Sequence, residues 1–260
     1  LNLLARNLNE INIVRQSTLK KMYEEAVFGL SNKKYVGGDL HDRVIVVDSE
    51  NFHEGVIGLV SSRLTKEYYK PAITICWKNN IGKGSVRSIE GVDIIEILDK
   101  CSEYLIEFGG HKMAAGFGIR REQFDLFKKQ LAIVANKYIT EDILIPKIFY
   151  DLNLNVDLLT KDLLDLLDEL EPYGNGNPKP LFAIKNVKLN NFNLFGKAEE
   201  HLGFKIGDSN IRAVYFGNAK MLNSLNNDDY YDVLFSFEKN EYKGVVYPQI
   251  LVKDLRLTIQ

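Results

Sequence analysis

Cysteine is nearly absent from these 260 residues: Cys76 and Cys101 are the whole supply, and neither belongs to a Cys-x-x-Cys pair. That argues against a cysteine-built zinc site and for buried thiols in a reducing, cytoplasmic compartment. Long apolar runs are missing as well. Nothing approaches the roughly 20 residues that span a bilayer. The polar, helically patterned opening has no signal-peptide character, and no membrane partner is expected. There is no excess of either charge. The 33 basic and 35 acidic residues leave a net charge of −2. Divided before Ile145, the chain carries 20 basic against 19 acidic residues, then 13 against 16. A binder of nucleic acid that is basic all over is excluded, and any phosphate-binding surface must be a local patch. Catalytic metal ions need clustered carboxylates and histidines. The sequence has no Asp-His-His, no His-x-His, no Asp-x-Asp and no serine nucleophile elbow, so no cofactor or metal ligand is expected in this chain. It starts at Leu1 and not Met, which suggests part of a longer protein.

What is present reads as two textures. Leu4, Leu8, Ile11, Arg15, Thr18 and Met22 follow helical spacing, and Gly29 marks the expected stop. Val44–Val47 reads as a buried strand, followed by a helix with Val56, Val60, Leu64 and Tyr68 on one side. Pro71 ends that helix, and Ala72–Trp77 is a second strand. Strand, helix, strand in this order predicts a parallel βαβ unit. A turn over Asn79–Gly84 then leads into a strand over Ser85–Ile89. Asp93 with Glu96 resembles a capping box, for a helix expected to run to Phe108 and stop at Gly109-Gly110. A strand near Phe117–Ile119 and a helix carrying Phe124, Phe127, Leu131, Val134 and Tyr138 complete this part.

Beyond Ile143–Lys147, taken as the boundary, Ile148–Val156 alternates like a half-exposed strand and Leu158–Leu170 reads as a short helix. The turn formers Pro172–Pro178 come next. Five strand candidates then follow: Phe182–Val187, Leu202–Ile206, Ile211–Phe216, Val233–Phe237 and Ile250–Leu257. Such spacing predicts a small barrel.

Four segments could carry chemistry. In Gly109-Gly110-His111 through Gly116, two glycines let the backbone approach a ligand and expose its N–H groups, and His111 can donate to a phosphate oxygen. A tight turn with a core histidine fits as well. In Gly82-Lys83-Gly84-Ser85-Val86-Arg87-Ser88, alternation puts Ser85 and Arg87 on one face, where they could hold a terminal phosphate. A solvent-exposed hairpin strand is the other reading. This is no P-loop, because Trp77 stands where its first glycine should be. Asn51–Leu64 offers Gly55 and Gly58 for close packing near a helix start, and Arg63, which faces a ligand or solvent. In the tail, aromatics with nearby lysines suit base stacking or a core. Phe216 and Phe237 are assigned to the core, and Tyr242 with Lys243 to a loop that could meet a strand.

Taken together, Asn51–Leu64, Gly82–Ile89, Gly109–Gly116 and the run Leu170–Pro178 resemble the RecJ single-stranded-DNA exonucleases of the DHH phosphoesterase superfamily. The opening Leu8–Asn12 with Arg15 is similar to that family's connector helix. The resemblance implies a connector over 1–30, an α/β DHH-associated domain over 31–145, and a small, mostly-β OB barrel over 146–260. It implies 5′-to-3′ digestion of single-stranded DNA in recombination and repair. Manganese or magnesium would sit in an amino-terminal DHH domain that this chain lacks, and that domain would be a partner. By the same resemblance, Ser85 and Arg87 hold the 5′ phosphate end, with Lys83 and Ser88 beside them. Gly109, Gly110 and His111 close the site over the nucleotide, His111 as the catalytic residue. Arg63 and Arg15 are weaker correspondences. Two alternatives are a stand-alone single-strand-binding module and a phosphodiesterase for short oligonucleotides or cyclic dinucleotides.

Overall fold

The computed structural model describes residues 2–32, 35, 42–242 and 244–258. The chain forms two compact units, Leu1–Lys147 and Ile148–Gln260, each considered by itself.

The first unit opens with α1 (Asn2–Ser31). Its second half packs through Met22, Tyr23, Ala26 and Leu30, which are buried against the elements that follow. Its first half does not pack, and Leu4 and Ile11 are 63% and 66% exposed. The predicted βαβ unit is present as β1 (Ile45–Ser49), α2 (Ile57–Tyr68) and β2 (Ala72–Lys78). β1 and β2 run parallel from Ile45↔Ala72 to Ser49↔Cys76. Tyr69 closes α2 in a left-handed conformation, φ 47°, two residues before Pro71.

Two expectations need correction here. The turn expected over Asn79–Gly84 is confined to Asn79-Asn80, because β3 spans Ile81–Arg87. Gly82 and Gly84 are strand residues whose missing side chains make room for rings. A Cβ on Gly84 would stand 2.3 Å from the Phe117 ring, and one on Gly82 2.6 Å from Trp77. The helix expected to reach Phe108 is α3 (Ile94–Asp99), capped by Asp93, whose carboxylate accepts from the N–H groups of Ile95 and Glu96. Residues 105–111 form strand β4 (Leu105–His111), hairpinned to β5 (Ala114–Arg120). The spacing Ile94, Ile97, Leu98, Cys101, Leu105, Phe108 keeps helical period to the end. Pairing with β5 overrides it, as tertiary context commonly overrides local preference. α4 (Phe124–Tyr138) follows.

The sheet order is β1-β2-β3-β5-β4. α1 and α2 cover β1 and β2 on one face, through Val60, Leu64, Ile45 and Val47. α3 and α4 cover the other face, through Ile97, Phe127 and Leu131 against Ile75, Val86, Phe117 and Ile119.

In the second unit the strand expected over Ile148–Val156 shrinks to β6 (Leu152–Asn153). Ile148 and Phe149 are exposed, and Asp151 instead ties to Leu181 through its N–H and carboxylate. α5 (Lys161–Asp168) is capped by Thr160. The remaining strands are β7 (Phe182–Phe195), β8 (His201–Ile206), β9 (Arg212–Tyr215), β10 (Tyr230–Tyr242) and β11 (Val245–Leu257). Their order, β10-β11-β9-β8-β7, closes on itself because β10 also pairs with β7. The interior is filled by Phe204, Phe235, Phe237, Ile250 and neighbours. This is an α/β domain followed by a small closed β barrel.

Candidate nucleic-acid interface

Three adjacent strands bring the predicted residues into rows. Arg87 of β3 lies opposite Ala114 of β5, which lies opposite His111 of β4. Ser85, Gly116 and Gly109 form the next row, and Lys83, Gly118 and Glu107 the third. Side chains two apart on a strand share a face, so all nine positions belong to one face of the sheet. The opposite face carries Val86, Ala115 and Phe117, which are core. Strands about 4.8 Å apart place Arg87 and His111 roughly 10 Å from each other across Ala114. The result is a shelf with donors on both borders and a nearly bare floor. Its lower part is a groove of about 460 Å³ bordered by Glu54, Lys83, Glu107, Gly109, Gly116 and Gly118.

The hairpin that carries His111 is anchored at its tip. Ser88 N–H donates to Met113 O over 2.9 Å, and Ile94 N–H to Lys112 O over 3.1 Å. Gly110 has φ 148°, and a Cβ there would meet Ala114 O at 2.4 Å and Ala115 Cα at 2.6 Å, so the close pairing of β4 with β5 requires a glycine. His111 is exposed on the shelf border, so it is neither a core histidine nor part of a helix terminus.

Helix α2 closes the β3 side. Gly58, Ser61 and Thr65 share the face toward β3. The Ser61 hydroxyl lies 2.8 Å from Ser85 O and 2.9 Å from Thr74 Oγ1. Thr65 Oγ1 donates to Arg87 O over 3.3 Å. Arg87 Nη1 donates to Ser85 Oγ over 3.2 Å and to Val86 O over 2.8 Å. The hydroxyl and guanidinium are therefore held together before any ligand arrives. Lys83 is exposed and paired with Glu54 over 2.9 Å. The hydrogen bond to Lys83 holds the Glu54 carboxyl below its ordinary range, and the same bond raises the Lys83 ammonium. A phosphate would have to exchange with Glu54 for Lys83, whereas Arg87 is bound by neutral oxygens.

Two predicted residues are not brought to the shelf. Ser88 is buried, and its hydroxyl donates to Val92 O over 2.8 Å, holding the loop before α3. Arg63 lies on another side of α2, its guanidinium 4.2 Å from the centre of the Tyr23 ring of α1. Tyr23 in turn donates to Glu67, and burial first and Glu67 second push its phenol up. Arg15 is exposed on α1 and bonded to Asn12.

The barrel also corrects one expectation. Phe237 is core, at 2% exposure, but Phe216 is 51% exposed. Phe216 lies just past the end of β9, in the turn that leads to Gly217, outside the interior cluster against which Ala213 and Tyr215 pack. The Tyr242 side chain and Lys243 lie outside the described residues. Neither the Glu54–Lys83 pair nor Glu107 was visible as part of a site in the sequence. Their signal was the period-two match of Lys83-Ser85-Arg87 with Gly118-Gly116-Ala114. Among the described residues, no group of three or more histidine, cysteine, aspartate or glutamate side chains is placed to hold a metal ion. No described helix is long and apolar enough to cross a membrane.

Residues 41–137 match the DHHA1 domain model and residues 150–254 the RecJ OB domain model. The single-stranded-DNA-specific exonuclease RecJ of Bacillus subtilis is 30% identical over 255 residues, covering 96% of this chain and 32% of that protein. The Thermus thermophilus enzyme of the same name is 27% identical, with 97% and 34% covered. A crystal structure of RecJ in complex with Mg²⁺ from Thermus thermophilus superposes with a TM-score of 0.81 at 26% identity, over 99% of this chain and 38% of that one. The chain thus spans well under half the length of these relatives. With a DHHA1 domain followed by a RecJ OB domain, and relatives of one name along nearly all of its length, the chain belongs to the RecJ family.

Proposed function

We propose that this chain is the nucleic-acid-binding part of a 5′-to-3′ single-stranded-DNA exonuclease acting in DNA recombination and repair. Ser85 and Arg87 receive the 5′ phosphate, with Lys83 as a neighbouring cation. Gly109, Gly110 and His111 close over the terminal nucleotide from the other border. The observation that carries this reading is the row Arg87–Ala114–His111 on the sheet's open face, with Ser85 already bonded to Arg87.

The chemistry suits a strand read without regard to sequence. Phosphate contacts position nucleic acid and carry no sequence information. No phenylalanine, tyrosine or tryptophan stands in the three rows of the shelf, so this surface reads the backbone end. A guanidinium with a hydroxyl beside it favours a terminal dianion over a bridging phosphodiester. The barrel gathers the strand that follows. The described residues do not fit a metal cage. The hydrolytic centre, with its manganese or magnesium, belongs to a DHH domain in another part of the protein.

The test is digestion by the complete gene product of single strands bearing a 5′ phosphate or a 5′ hydroxyl. Arg87→Ala should erase most of the preference for the phosphate. Equal kinetics of parent and variant on both ends would remove the phosphate assignment.

A further inference from the structure

We infer that the row Lys78–Ile81–Arg120, at the open end of the shelf in the first unit, is a second phosphate seat. It holds a phosphodiester of the single strand a few nucleotides behind the 5′ end, with Arg120 and Lys78 as its cations. This rests on the strand-binding reading above and sets the direction in which the strand leaves the shelf.

Strand register continues the three rows of the shelf by one. Ile81 of β3 lies opposite Arg120 of β5 and, on its other side, opposite Lys78 of β2. Ile81 is two residues from Lys83, and Arg120 two from Gly118, so both keep to the shelf face. Exposure agrees with this. Lys78, Ile81 and Arg120 are exposed, whereas Gly82 and Ile119, between this row and the last, are buried. The turn from β2 to β3 is tight, with Asn79 left-handed at φ 57°. Arg121 N–H donates to Asn80 O over 2.9 Å and so fixes the end of β5 against that turn. A cleft of about 550 Å³ lies there, bordered by Asn80, Ile81, Arg120, Arg121 and Glu122.

The direction follows from which end of the shelf is shut. Beyond Arg87 the hairpin tip is bonded to Ser88 and Ile94. A strand whose 5′ phosphate sits at Ser85 and Arg87 therefore leaves past Lys83, along the groove at that end. No phosphate rests in the Lys83 row, because Lys83 is paired with Glu54 and Glu107 stands on the same row. The next cations are one row further, and they are unspent. Neither the Arg120 nor the Lys78 side chain makes a hydrogen bond or ion pair among the described residues. Arg121 beside them is spent, on Glu50 over 2.8 Å and on the Trp77 ring at 4.6 Å. Glu122 borders the cleft, and the two free cations outnumber it. From Ser85 to Ile81 is four strand residues, roughly 13 Å. A stacked single strand advances about 3.4 Å per nucleotide, so it covers this span within about four nucleotides and an extended one in fewer. Cations on both sides grip the backbone, and Ile81, 44% exposed, offers the sugar an apolar rest. Such contacts hold a strand of any sequence.

The test is titration of this chain with a labelled, 5′-phosphorylated octathymidylate at several salt concentrations, read by anisotropy, with 5′-phosphorylated dithymidylate as an unlabelled competitor. The parent is compared with Arg120→Ala, Arg120→Lys and Arg87→Ala. Arg120→Ala should bind the octamer about tenfold more weakly, with a salt slope smaller by about one contact and unchanged thermal stability. It should bind the dimer like the parent, because the dimer is too short to reach the row. Arg120→Lys keeps the charge and should recover most of the octamer affinity. Arg87→Ala should weaken both lengths. Parent-like octamer binding by Arg120→Ala, or an equal loss on dimer and octamer, with weakened binding by Arg87→Ala, would overturn the second seat and leave the shelf standing. Parent-like binding by both alanine variants, or no binding by the parent up to millimolar octamer, would overturn both readings.

Discussion

Arg87 donates to the Ser85 hydroxyl over 3.2 Å directly beneath Gly58 of α2. A Cβ on Gly58 would stand 3.0 Å from Arg87 Nη2 and 3.1 Å from Ser85 Oγ. The helix approaches the strand so closely because this position has no side chain, and the approach keeps the guanidinium in one place. Gly58→Val should therefore push Arg87 aside and mimic its loss. Losing one hydrogen bond to a charged group corresponds to about 1.5–3 kcal/mol, or at least tenfold in affinity. Binding of phosphorylated oligomers to Gly58→Val and Arg87→Ala checks this, and a parent-like Gly58→Val would show that the contact is incidental.

Gly84 sits in mid-strand against a ring, with a Cβ position 2.3 Å from Phe117. Gly84→Ala should destabilise the first unit by about 1–3 kcal/mol through overpacking. Urea unfolding measures it. An unchanged midpoint would mean that β3 and the Phe117 ring can separate freely.

In the barrel, two phenylalanines should behave in opposite ways. Phe237 is enclosed, so Phe237→Ala should cost about 3–5 kcal/mol. Phe216→Ala should stay within about 0.5 kcal/mol. Calorimetry of the two variants separates core from surface.

Burial pushes the Cys101 thiol up from 9.0 to about 11, with Glu103 adding to the effect. The folded state therefore holds this proton more tightly than the unfolded chain. Its contribution to stability is complete below about pH 9 and is lost as pH rises through about 11. Alkaline unfolding curves of the parent and Cys101→Ala should converge in slope below that window and diverge within it. In the native protein Cys101 should resist iodoacetamide at neutral pH, since thiolate is the reactive form.

Much of this was legible from period and punctuation. The βαβ unit, the Asp93 cap and the five barrel strands followed from alternation, turn residues and helical spacing. The places that were not legible have physical reasons. Ile94 to Phe108 keeps helical period, and only pairing with β5 makes its second half a strand. Gly82 and Gly84 look like turn formers until Phe117 and Trp77 are seen to need their space. Ser85 and Arg87 shared a face as alternation predicted, but nothing in the sequence placed Gly58 above them. Ser88, one residue further on, is turned inward by its bond to Val92 O. Phe216 is aromatic, as core residues often are, but it stands in the turn after β9, where Gly217 with φ 73° ends the strand.

The most direct measurement is an anisotropy titration of this chain with single-stranded and double-stranded DNA at two salt concentrations, for the parent and Arg87→Ala. The account predicts salt-sensitive binding that prefers the single strand, with affinity for it and part of the salt dependence lost in Arg87→Ala. Equal affinity of the parent for both forms of DNA, or parent-like affinity and salt dependence in the variant, would contradict it.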